Sequence, residues 1–129
     1  KIESVVYDVS GNTATIVYST FTYDTVSPIS SFTAPGISQY YLTDLTSLGG
    51  TGSDANLSIV EVAVSSAYPP TGNCYWDWTS AYNSAVPVWG TPNTGAPTYT
   101  TWSRTGSIPG WLTGVTYVIY SRARDKADN

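Results

Sequence analysis

Between Leu57 and Ser66 the chain reads LSIVEVAVSS, with Val60, Val62 and Val64 two residues apart and Ile59, Glu61 and Ala63 between them. Successive side chains of a β-strand point to opposite faces, so this spacing predicts a strand whose valine face lines a core. The residues around it are of the same kind. Thr occurs 19 times and Tyr 11 times, and with Val and Ile they suit a pleated, half-buried surface, while helix formers are scarce. A length of 129 residues holds one domain with a real core plus an appendage. The expected class is all-β.

Other segments fit that class. Thr13 to Tyr23 (TATIVYSTFTY) is β-branched and aromatic throughout and reads as a strand. Asp24 to Pro28 reads as a junction, followed by a short extended stretch bracketed by Pro28, Pro35 and Gly36 and suited to a sheet edge. Gln39 to Leu48 is expected to hold a short strand or turn. Ala67 to Thr98 is expected to give two or three short strands joined by long loops around the aromatic run Cys74 to Trp78. Thr98 to Thr105, carrying Trp102, and Val115 to Arg124 complete the set, the latter with Tyr117, Ile119, Ser121 and Ala123 on one face. Seven to eight antiparallel strands with turn signals between them amount to a β-sandwich.

The two ends of the chain echo each other. Lys1 to Asn12 reads KIESVVYDVSGN and Val118 to Asn129 reads VIYSRARDKADN, so an ungapped overlay at an offset of 117 residues matches Ile2 with Ile119, Ser4 with Ser121, Asp8 with Asp125 and Asn12 with Asn129. Each copy is a β-patterned run closed by Asp-x-x-x-Asn, a composition that terminates strands. The expected organisation is therefore a window on a repeating array. Residues 1–23 would be the terminal strands of a preceding repeat, or a donor strand exchanged with a neighbour, and residues 24–129 the main sandwich. That sandwich would lack its final strand and leave a sheet edge open.

Leu112-Thr113-Gly114-Val115-Thr116-Tyr117, followed by Arg122-Ala123-Arg124-Asp125-Lys126-Ala127-Asp128-Asn129, resembles the closing strand and turn of bacterial immunoglobulin-like tandem repeats. Asp24-Thr25-Val26-Ser27-Pro28 is similar to the linker between such repeats, and Gly50-Thr51-Gly52-Ser53-Asp54 to their Gly-Thr-x-x-Asp motif ahead of a strand. Asp128 stands where these repeats usually carry Gly. The resemblance implies an immunoglobulin-like sandwich in a large secreted or cell-surface protein, with neighbouring repeats or identical chains as head-to-tail partners. Tyr117, three residues after Gly114, stands where a tyrosine corner would bond its hydroxyl to backbone, and Trp102 is a candidate core residue.

The inventory excludes most chemistry. Without His and with one cysteine, Cys74, there are no Ser-His-Asp triads, Cys-His pairs, usual zinc sites or internal disulfide. The only glutamates are Glu3 and Glu61, and Glu61 lies mid-strand among valines, so no enzymatic activity is expected. The net charge of -4 is scattered and gives no basic stripe for nucleic acid. No apolar run approaches the ~20 residues that cross a bilayer, and no cleavable leader opens the chain, which reads as an internal or matured segment. Few lysines and many hydroxyls point to an extracellular or cell-surface setting. Two binding expectations remain. Calcium would be held by oxygens of Asp8, Asn12 and Asp24 at one end and Asp125, Asp128 and Asn129 at the other, against the plainer reading that these side chains cap turns. Alternatively, Tyr75, Trp76, Trp78 and Trp89, with Tyr82 nearby, would form a stacking platform for surface glycans.

Overall fold

The computed structural model describes residues 1–67 and 74–129, and every regular element in them is a strand. The strands are β1 (Ile2–Ser4), β2 (Val17–Ser19), β3 (Ile29–Ala34), β4 (Leu48–Ser53), β5 (Leu57–Ser66), β6 (Cys74–Trp76), β7 (Tyr82–Ser84), β8 (Trp102–Arg104) and β9 (Tyr117–Asp125). β1 and β2 form a separate pair, β3-β4-β8 a three-stranded sheet, and β7-β6-β5-β9 a four-stranded one. All ladders are antiparallel. The seven strands of the two larger sheets build a β-sandwich around one core. Among the described residues no helix is long and apolar enough to cross a membrane.

β5 spans the bounds read from its alternation, and Val60, Val62 and Val64 are all at 0% exposure. Its other face is covered as well, since Ala63 is also fully buried. Against it lies β9, paired from Leu57↔Asp125 to Ser66↔Tyr117, with Tyr117, Ile119, Ser121 and Ala123 half-buried and the residues between them exposed. The opposing sheet contributes Leu48 from β4 and Trp102 from β8, both essentially fully buried, and Phe32 of β3 meets the Trp102 ring edge-on at 5.7 Å.

Three expectations change. The Gly50-Thr51-Gly52-Ser53-Asp54 motif stands ahead of a strand, β5, as expected, but Gly50–Ser53 is itself strand as well, part of β4, which Leu48 opens, with no strand between Ala34 and Leu48. A Cβ on Gly50 would overlap the Ser31 carbonyl and the Trp102 ring, and one on Gly52 would sit 2.9 Å from both the Leu57 side chain and the Tyr99 carbonyl. Close approach of Trp102 therefore selects glycine within a strand, where propensity alone disfavours it. Second, the Thr13 to Tyr23 segment is regular only over Val17–Ser19, with an isolated Tyr7↔Thr13 bridge nearer the turn. Third, the aromatic run stops being a strand at Trp76. Of the punctuators expected in that region, Pro69, Pro70, Gly72 and Asn73 lie outside the described residues.

No residue from Lys1 to Tyr23 is buried, and the apolar side chains of Val6, Tyr7, Val17, Tyr18 and Phe21 are all more than 60% exposed. Two strands cannot cover their own apolar groups, which makes this hairpin the least supported part of the fold.

Candidate functional site

Asp8 and Asp125 end their strands in the same way. The Asp8 carboxylate accepts from the N–H of Ser10 (2.8 Å) and Asn12 (2.9 Å) and from the Asn12 side-chain amide (2.7 Å). The Asp125 carboxylate accepts from the N–H of Ala127 (2.8 Å) and Asn129 (3.0 Å) and from the Asn129 side-chain amide (3.0 Å). In both turns a backbone N–H, from Gly11 or Asp128, also reaches back to the aspartate carbonyl. Each of these four bonds has its counterpart at an offset of 117 residues, the spacing of the sequence overlay. Gly11 has φ +80° and Asp128 φ +66°, so the position that carries Gly in one copy is left-handed in both. Asp tolerates that region less readily than Gly. Asp128→Gly is accordingly expected to stabilise the fold by a few tenths to about 1 kcal/mol, read as a rise in the urea midpoint at unchanged m-value.

The second turn is part of a larger acidic group. Carboxylate oxygens of Asp24, Asp54 and Asp125 lie within 4.8 Å of one another. The Asn56 side-chain amide donates to Asp24 (2.7 Å), the Asn56 N–H donates to Asp54 (2.6 Å), and the Asn129 amide reaches the Asp24 carbonyl (3.2 Å). Thus Asp24, grouped by sequence with Asp8 and Asn12, bonds instead to Asn56 and Asn129 and lies beside Asp125. Asp8 and Asn12 bond to each other within their own exposed turn, and Asp128 is 82% exposed and paired with Arg124. The member that sequence reasoning passed over is Asp54. It stands at the end of a motif that had been noted only as preceding a strand, and its Asp-x-Asn spacing to Asn56 repeats the turn chemistry seen elsewhere. Three carboxylates with amide neighbours form an all-oxygen donor set, the kind that suits a hard cation.

Asp125 is 4% exposed, and that burial pushes its carboxyl pKa up, yet the bonds from Asn129 and the neighbouring backbone N–H groups outweigh it and hold the pKa below the ordinary carboxylate value. Asp77, at the start of a turn the sequence did not flag, accepts N–H bonds from Ser80, Ala81 and Thr79 and is held far lower. Asp8 is lowered by its bonds from Asn12. A carboxyl whose pKa is depressed by folding contributes stability that is complete above its unfolded value and is lost as pH falls through the folded one. Melting temperature should therefore hold from neutral pH to about 4 and then drop steeply, and Asp77→Asn should make that drop shallower.

The aromatic cluster is turned inward. Trp76 and Trp78 are only 8% and 9% exposed, and their indole N–H groups donate to the carbonyls of Ser107 (2.8 Å) and Val88 (2.9 Å). Two residues apart, they would share a face of a continuous strand, but β6 ends at Trp76 and Trp78 takes φ +59°. Trp78 instead packs on Gly90, under the Arg104 guanidinium at 4.3 Å. Trp89 is half-buried with Arg122 over its ring at 4.1 Å, Arg122 being fixed by Glu61 at 2.8 Å. Tyr75 packs against Tyr120 at 5.9 Å, and Tyr82 lies between Trp76 and Tyr117. A sugar-stacking platform needs bare, coplanar rings, and these rings already face protein. The Tyr117 hydroxyl accepts from the Leu112 N–H at 2.8 Å, tying β9 to the segment before it. Trp102 is a core residue at 1% exposure.

The remaining feature of note is an edge. β9 pairs with β5 alone, so among the described residues its outer row of N–H and C=O groups has no ladder partner. Compared with known proteins, the chain matches no family model, no curated protein and no solved structure.

Proposed function

We propose that this chain is a non-enzymatic structural or adhesive unit of an immunoglobulin-like tandem array, outside the cell or at its surface, whose work is to space its neighbours. The observation that carries this reading is the recurrence, 117 residues apart, of one strand-ending turn with the same four hydrogen bonds. A turn repeated at the spacing of a whole domain is what a chain built from serial copies contains. In the first copy the turn is followed by a strand that pairs back, Ile2↔Ser19 to Ser4↔Val17, so the unit runs from strand to turn to strand across the junction at Asp24. The inward-facing tryptophans agree with a body that supplies shape.

The test is dimensional. Proteins carrying increasing numbers of units joined through the natural Asp24–Pro28 linker should lengthen by an equal increment per unit in small-angle scattering. Particles that stay compact as units are added would sink the spacer reading.

The calcium expectation now attaches to Asp24, Asp54 and Asp125. An ion that binds only the folded state raises the melting temperature in proportion to the logarithm of its concentration above Kd. Melting in calcium against melting in chelator is expected to show such a rise, and Asp54→Asn to abolish it; identical curves would leave these side chains as turn caps.

A further inference from the structure

Trp111 differs from the other tryptophans in what surrounds its ring. Trp78 lies under Arg104, Trp89 under Arg122, Trp76 against Tyr82, and Trp102 in the core. Trp111 is half-buried and lines an open cleft of about 440 Å³ between residues 44–46 and 105–111. That volume falls within the range of about 300–1,000 Å³ found for small-molecule sites. The less exposed lining is apolar, from Ile108, Pro109 and Trp111, and the exposed lining is polar, from Asp44, Thr46, Thr105 and Ser107. Among the described residues no lysine or arginine lines it.

Both walls are held in place before any ligand arrives. The Trp111 indole N–H donates to the Leu45 carbonyl at 2.8 Å and so ties one wall to the other, while the Tyr117 ring meets the indole at 88°, 4.8 Å away. The Trp76 indole N–H donates to the Ser107 carbonyl at 2.8 Å, and the Thr105 N–H to the Asn93 side chain at 2.8 Å. A preformed cleft spares its ligand the cost of ordering the walls. Among the described residues no protein group bonds the Asp44 carboxylate or the Thr46 hydroxyl, so both are open to a ligand.

We infer that this cleft is a binding site for a neutral saccharide, which stacks the C–H face of a ring on Trp111 and bonds its hydroxyls to Asp44 and the rim hydroxyls. The positively polarised C–H groups suit the negative face of an indole. A carboxylate has lone pairs enough to accept from two neighbouring hydroxyls at once. An anionic ligand would meet the Asp44 charge with no cation to offset it, and a purely apolar one would desolvate that carboxylate without bonding it. The hydroxyls of Thr46, Thr105 and Ser107, which a methylated ammonium group cannot bond, favour a polyol over a cation. The site needs no neighbouring unit. A chain that binds sugar but does not lengthen in the scattering series would lose the spacer reading alone.

The experiment uses the full 129-residue chain, labelled with nitrogen-15, whose 5 tryptophans each give an indole N–H signal. Neutral trisaccharides of glucose, galactose, mannose and N-acetylglucosamine are titrated separately at millimolar concentration, with glucuronic acid and choline as charged probes. At least one trisaccharide is expected to move the Trp111 indole signal and the amides of residues 44–46 and 105–111, and to leave the Trp102 indole in place. Asp44→Ala, at an exposed position without a protein partner, should weaken that binding by about tenfold or more at an unchanged melting temperature. Asp44→Asn, which keeps one acceptor, should lose less. The inference is overturned if no neutral trisaccharide moves the Trp111 signal, if Asp44→Ala binds as tightly as the parent, or if glucuronic acid or choline binds more tightly than every trisaccharide.

Discussion

Trp102→Ala should lower stability by about 3–5 kcal/mol, the range for removing a large aromatic ring from a packed interior. The ring is the largest fully buried side chain, and it fills the space between the sheets where Phe32, Gly50 and the β5 valines meet. Against a total of roughly 5–15 kcal/mol for a domain, such a loss removes about a fifth or more of what holds the fold. Melting should fall by about 10–25 °C, since each kcal/mol shifts a domain of about this size by several degrees. Trp102→Phe, which keeps an aromatic plane in the same site, should recover part of the loss. A melt within a few degrees of the parent would mean that the two sheets do not meet through this residue.

Gly50→Ala is expected to be nearly as damaging although it adds a single methyl group. Overpacking commonly costs about 1–3 kcal/mol, and more when the obstructing atoms cannot move. Here one of the two obstacles is the Ser31 carbonyl, backbone of the adjacent strand β3, and the other is the Trp102 ring. The ring can yield only by leaving its site and the carbonyl only by breaking the β3–β4 ladder. Combining Gly50→Ala with Trp102→Leu separates the two contributions, because residues in contact do not add. The pair should destabilise less than the sum of the single changes, and urea titration of the four proteins measures the difference. A strictly additive cycle would show that Gly50 is selected for a reason other than its contact with the indole. The same logic makes Gly11 and Gly114 poor comparison sites, since a Cβ there meets nothing within 4 Å although both have positive φ.

The features legible in the sequence are those fixed by chemistry within a few residues. Alternation alone specified β5 and its buried valines, because a strand side chain's direction depends only on its parity. The Asp8 and Asp125 turns were legible for a related reason: the carboxylate, the backbone N–H groups it accepts and the asparagine amide all lie within five consecutive residues. What the tertiary structure alone decided were contacts between distant segments. β4 could not be recognised by composition, since its glycines make sense only once Trp102 and Ser31 are known to lie against them. The gathering of Asp24, Asp54 and Asp125 joins a linker, a turn and a strand end separated by up to about a hundred residues. Whether Trp76 and Trp78 face solvent or core depends on where β6 stops and on the carbonyls of Ser107 and Val88, which no local pattern encodes. Local periodicity thus determined β5, β9 and the two aspartate turns, while packing between sheets determined β4 and which side chains are left to meet a partner.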